Sequence, residues 1–154
     1  MTRPTEPAHK PPFFPSGESI PLSFTDLGLS APILKTLARN DYTTPTPIQA
    51  QAIPAILKGR DVVGLAQTGT GKTAAFGLPI LQRLSETRDT STKSPKLRAL
   101  ILSPTRELST QINDALWTYS KGLGRTTAFV IGGVPIRKQI RQLQRGVDAL
   151  VATP

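Results

Sequence analysis

From Ser23 onward, short uninterrupted apolar runs alternate with amphipathic stretches. That alternation marks an α/β domain in which buried parallel strands are joined by helices. Four runs read as buried strands: "DVVGLA" (61–66), "RALILS" (98–103), "TTAFVI" (126–131) and "DALVA" (148–152). Ser30 can cap a helix through about Arg39, with Pro32 tolerated in its first turn, and Thr46 with Pro47 can start a second through about Leu57. A third follows in "KTAAFGLPILQRL" (72–84), where Gly77 and Pro79 should weaken or bend it. Thr105 caps a fourth running to about Lys121, and the last places Ile136, Ile140 and Leu143 on one face. The polar run "SETRDTSTKSPK" (85–96) reads as a surface loop.

Composition narrows this picture at the N-terminus. Residues 1–22 hold six of the fifteen prolines without apolar periodicity, so they read as a disordered Pro-rich tail, and His9 has no plausible partner there. The remainder, 23–154, has the length and apolar share of one domain. Cysteine is absent, which excludes a disulfide framework and a thiolate metal site and suits a reducing cytoplasm. No signal-peptide core and no long apolar span is present, so a soluble, cytoplasmic protein with no membrane partner is expected.

The net charge of +9 arises entirely beyond residue 22. Between Ala115 and Val147 there is no acidic residue, but Lys121, Arg125, Arg137, Lys138, Arg141 and Arg145 are all present. Such a stretch attracts a polyanion. The spacing of Arg137, Arg141 and Arg145 also fits a plain solvated helix face.

Three constellations carry chemistry. "AQTGTGKT" (Ala66, Gln67, Thr68, Gly69, Thr70, Gly71, Lys72, Thr73) follows a strand and opens a helix, the context in which backbone N–H groups cradle phosphates. Lys72 would neutralise the β and γ phosphates, and the Thr73 hydroxyl would ligate Mg²⁺. The strict phosphate-loop pattern wants glycine where Ala66 stands. Upstream, "DYTTPTPIQ" (41–49) puts Gln49 in the first turn of a helix, where its amide offers the donor and acceptor that a purine edge requires, and Tyr42 or Phe24 could stack on a base. Gln49 also reads as a surface amide, and the two aromatics as core. Finally, Pro104, Thr105 and Arg106 follow one strand, Gly132 and Gly133 the next, and Thr153 the last. Ligands of open α/β sheets gather at such strand ends, and a nucleic-acid backbone is the economical ligand for the row.

With these residues together, the chain from Phe24 to Pro154 resembles the DEAD-box RNA helicases, most closely the bacterial RhlE type. "AQTGTGKT" is similar to that family's motif I, which has alanine at its start, and "PTPIQ" with Phe24 seventeen residues before Asp41 to the Q motif. "PTREL" resembles motif Ia, Gly132–Gly133 the GG motif, and Thr153–Pro154 the beginning of motif Ib. The resemblance implies a RecA-like domain in which Gln49 bonds adenine beside Tyr42 or Phe24, and Lys72 and Thr73 handle ATP phosphates and Mg²⁺. It implies that Thr105, Arg106, the Gly132–Gly133 backbone and Thr153 hold RNA phosphates without regard to base sequence. Asp41 stands where the Q motif usually has glycine, and the D-E-A-D and S-A-T motifs do not occur. The expectation is therefore the N-terminal part of a first helicase domain, inactive alone, whose parent couples ATP hydrolysis to RNA strand separation. The rival readings are a naturally short, non-catalytic adenine-nucleotide or RNA-binding module and a different phosphate-loop ATPase, against which "PTPIQ" argues.

Overall fold

A computed structural model describes residues 23–87 and 96–154. The expected tail and most of the 85–96 loop lie outside the described residues. A short 3₁₀ turn (Phe24–Leu27) leads into α1 (Ala31–Arg39), α2 (Pro47–Leu57) and α3 (Lys72–Glu86), followed by β1 (Ala99–Leu102), α4 (Arg106–Ser120), β2 (Thr127–Val130), α5 (Ile136–Gln144) and β3 (Ala149–Ala152). The strands form a parallel sheet in the order β1-β3-β2, with Ala149 in register with both Ala99 and Thr127. The α/β architecture with a parallel sheet and flanking helices is as expected.

One expected strand is missing. Residues 61–66 make no ladder, and Val63 and Leu65 are 90% and 91% exposed. Apolar content favours a strand, but a ladder forms only where a neighbour supplies N–H and C=O partners, and no strand among the described residues lies beside this one. The segment runs instead against α2, where a Cβ on Gly64 would meet Ile48 at 3.5 Å.

The core forms where α4 lies on β2 and β3, with α1 and α3 packed on α4 and α2 packed on α3. Ile33, Leu37, Ile53, Leu78, Leu81, Leu116 and Val151 are each at most 2% exposed within it. Gly77 and Pro79 do not end α3. A Cβ on Gly77 would lie 2.9 Å from Leu116 Cδ2, so the missing side chain lets α4 approach α3 closely. Ser30 precedes α1 as expected but makes no side-chain cap; its backbone N–H donates instead to Gln82 Oε1 at 2.9 Å, and Gln82 Nε2 donates to Gly28 O at 3.1 Å.

Helix α5 departs from its sequence pattern. Ile136 and Ile140 are 65% and 46% exposed, whereas Gln139, between them, is buried. A buried amide is stable only when its polar atoms are paired, and those of Gln139 are. At the amino ends of the strands, Asp148 is the hub. Its Oδ1 accepts from Arg98 Nη2 at 2.7 Å and faces Arg125 Nη1 at 3.5 Å, and its Oδ2 accepts from the Thr126 N–H and hydroxyl at 3.0 and 3.2 Å. Burial alone would raise its pKa, but the Thr126 N–H, Arg98, the Thr126 hydroxyl and Arg125 together hold it below the ordinary carboxylate value.

Candidate functional site

The loop from Ala66 to Gly71 turns into α3 with Gly69 and Gly71 at φ +80° and +84°, a conformation that L side chains avoid. Gly71 is the N-cap of α3, with no side-chain cap and no acid in the first turn. The first N–H groups of the helix therefore point into the loop uncapped, and the helix dipole adds partial positive charge there. Lys72 curls back over the loop, its ammonium donating to Ala66 O and, at 3.0 Å, to Gln67 O. Thr70 Oγ1 donates to Gln67 O at 2.7 Å and pins the same turn. An anion entering this cradle offers Lys72 a stronger acceptor than two carbonyls.

Gln49 is tied directly to this loop. It is 2% exposed, which corrects the surface-amide reading: its Oε1 accepts from Thr46 N at 2.9 Å and its Nε2 donates to Gly71 O at 3.1 Å. A Cβ on Gly71 would sit 2.3 Å from Gln49 Nε2, so glycine is required there by contact as well as by φ. One N–H and one lone pair of the amide remain for a base edge.

The two aromatics separate. Phe24 is 4% exposed in the core cluster, in line with its reading as a core residue. Tyr42 keeps 38% of its surface and meets Tyr119 edge-on, with ring centroids 6.1 Å apart and hydroxyls at 3.3 Å. Burial and this contact raise the pKa of the Tyr119 phenol. Asp41, next to Tyr42, has φ +58°. Glycine adopts that conformation freely and aspartate tolerates it, which explains physically how Asp41 can occupy a position where glycine is usual.

The strand-end row assembles at the carboxyl edge of the sheet. Thr105 caps α4, its hydroxyl accepting from Leu108 N at 3.2 Å. Arg106 starts that helix and reaches over to the turn after β2: a Cβ on Gly132 would lie 3.0 Å from its Nη2, and one on Gly133 2.6 Å from its Nη1. Among the described residues this guanidinium has no ion-pair partner. Thr153 joins the row through its N–H, which donates to Val130 O at 3.2 Å, and Pro104 stands exposed before Thr105.

The family model described as DEAD/DEAH box helicase matches residues 46–154, from the cap of α2 through the phosphate loop to the strand-end row. The chain belongs to the DEAD/DEAH box helicase family. It is 46% identical to an ATP-dependent RNA helicase CshA of Limosilactobacillus reuteri, over 86% of this chain and 26% of that relative. It is 47% identical to the ATP-dependent RNA helicase DeaD of Escherichia coli K12, over 86% of this chain and 20% of that one. The RNA helicase Prp28 of Chaetomium thermophilum, solved bound to ADP, superposes with a TM-score of 0.77 at 42% identity, over 90% of this chain and 34% of the other. The helicase fold is thus present here as a RecA-like unit, and the chain spans about a quarter or less of these two curated relatives.

Within this helicase unit the structure brings together Gln49, Gly71 and Lys72 as one group, and Arg106, Gly132 and Gly133 as another. It also supplies a residue that sequence reasoning passed over. Gln139 spans the turn on which Arg106 lies: its Oε1 accepts from Ile131 N at 2.9 Å, and its Nε2 donates to Ile131 O at 3.2 Å and Val134 O at 3.0 Å. The periodic pattern gave no signal for it, because the isoleucines that mark the apolar face of α5, Ile136 and Ile140, are themselves exposed.

Proposed function

We propose that this chain is the N-terminal part of the first RecA-like domain of an ATP-dependent RNA helicase of the bacterial RhlE type. In this reading the parent couples ATP hydrolysis to separation of RNA strands in the cytoplasm. The observation that carries the reading is the bond between Gln49 Nε2 and Gly71 O, which joins the adenine-reading helix to the phosphate-binding loop. That the Prp28 relative was solved bound to ADP supports nucleotide binding by this chain.

The residues present fit ATP and Mg²⁺. Gly69 has open space on its Cβ side, the α3 N-terminus is uncapped, and Lys72 and Thr73 begin the helix. When bound, ATP supplies the anhydride bond that is broken, and Mg²⁺ arriving with it neutralises the charge that develops. Lys72, now on the carbonyls of Ala66 and Gln67, would hold phosphate oxygens instead, and the Thr73 hydroxyl would be a ligand for Mg²⁺. Gln49 discriminates adenine, with Tyr42 as the aromatic nearest that role by exposure. Thr105, Arg106, the Gly132–Gly133 backbone and Thr153 hold RNA phosphates, so binding is indifferent to base sequence and weakened by salt. Among the described residues no group of three His, Cys, Asp or Glu could hold a metal, and no helix is long and apolar enough to cross a membrane. The carboxylates that orient water come in this reading from a D-E-A-D motif of the parent, so residues 1–154 alone do not hydrolyse ATP.

Nucleotide-dependent turnover of the parent protein tests the reading. ATP is expected to be hydrolysed faster with RNA present and GTP several orders of magnitude less well, because guanine leaves the Gln49 amide mismatched. Equal turnover of the two nucleotides would sink the assignment of Gln49, and turnover indifferent to RNA would sink that of the strand-end row. The subtype is tested by placing the complete parent sequence in a tree of the family.

A further inference from the structure

Gln139 lies buried beneath the turn that follows β2, and the guanidinium of Arg106 lies across the outer side of that turn. Three hydrogen bonds of 2.9–3.2 Å from one amide close the backbone between Ile131 and Val134. Gly133, within this loop, is held at φ +81°. Neither glycine has a side chain to lift the guanidinium: Cβ atoms there would come within 3.0 Å and 2.6 Å of its nitrogens. Arg106 has no carboxylate partner among the described residues, so the shape of this loop is what its charged group rests against.

We propose that Gln139 is a positioning residue for RNA binding: it holds the Gly132–Gly133 turn as a seat on which Arg106 presents its donors to a phosphate. The inference rests on the reading of Arg106 as an RNA contact. The seat explains two otherwise separate features: an amide occupying a core position of α5, and a glycine pair where the chain needs left-handed backbone at only one of the two residues. A cation held in place binds a phosphate with less loss of side-chain freedom than a free arginine does. Gln139 therefore acts on RNA without touching it.

The test is a double-mutant cycle on the parent protein, with Gln139→Met, Arg106→Ala and the double variant, using a fluorescent single-stranded RNA and a non-hydrolysable ATP analogue. Hydrogen exchange of the 131–135 peptide is followed in the same samples. Gln139→Met is expected to speed that exchange, weaken RNA binding on the order of 3–10-fold, and reduce the salt slope by about 0.7, as loss of one single-strand phosphate contact would. The double variant should bind RNA no worse than Arg106→Ala alone, and nucleotide affinity measured without RNA should not move in Gln139→Met. Additive losses in the double variant, or normal RNA affinity in Gln139→Met despite faster exchange, overturn the proposal. If Arg106→Ala itself binds RNA normally while the exchange difference persists, the reading of Arg106 fails and the amide remains only a structural staple.

Discussion

The two ends of the sheet use charge in opposite ways. At the amino ends of the strands, Asp148, with its side chain 3% exposed, gathers Arg98, Arg125 and Thr126, and every charge is spent on another residue of the chain. At the carboxyl ends, Arg106 lies over a glycine turn without an ion-pair partner among the described residues. The phosphate loop shows the same restraint, since Lys72 is bound there only by neutral carbonyls. A paired buried charge fixes a fold; a cation held by weaker acceptors can be transferred to a ligand. One end of the strands ties its charges into the fold, and elsewhere Arg106 and Lys72 have no carboxylate partner among the described residues.

Substitutions sharpen this contrast in order of expected size. Lys72→Ala should leave nucleotide hydrolysis by the parent reduced on the order of a hundredfold or more, with its melting temperature nearly unchanged. A variant that hydrolyses normally would place the phosphates elsewhere. Asp148→Ala should do the reverse, costing about 3 kcal/mol in denaturant unfolding because two arginines lose their shared partner, while nucleotide affinity of the folded protein persists. The pH dependence has the matching sign. The native pKa of Asp148 is lowered, so its contribution is complete above the unfolded value of ~3.9 and fades as pH falls through the native value. Stability of the wild type should therefore drop more steeply below about pH 4 than that of Asp148→Asn.

Gly133→Ala should cost about 1 kcal/mol of stability from its left-handed backbone and weaken RNA binding as well, since the new methyl displaces Arg106. Unchanged RNA affinity with reduced stability would separate the glycine from the guanidinium. The smallest effect is expected from Asp41→Gly, which should raise stability by roughly 0.5 kcal/mol at a residue with φ +58° and leave both binding activities as they were. A decrease would show that the Asp41 side chain is itself engaged.

Helix boundaries, the phosphate loop and the strand-end row are set by local rules that a sequence displays. A proline tolerated in a first turn, a threonine cap and glycines at left-handed positions act within a few residues, so α2 and α4 begin where Thr46 and Thr105 indicate. What the tertiary structure decided depends on partners distant in the chain. Residues 61–66 have the composition of a strand but pair with no strand among the described residues, and pairing is not a local property. Phe24 is buried in the core cluster because elements distant in the chain pack beside it. Gln49 became a buried link to Gly71, twenty-two residues away, and α5 buried an amide instead of two isoleucines. A periodic pattern ranks residues by hydrophobicity, whereas burial of a polar group is decided by whether backbone partners lie within hydrogen-bond reach, and for Gln139 only the folded turn at 131–134 brings them there.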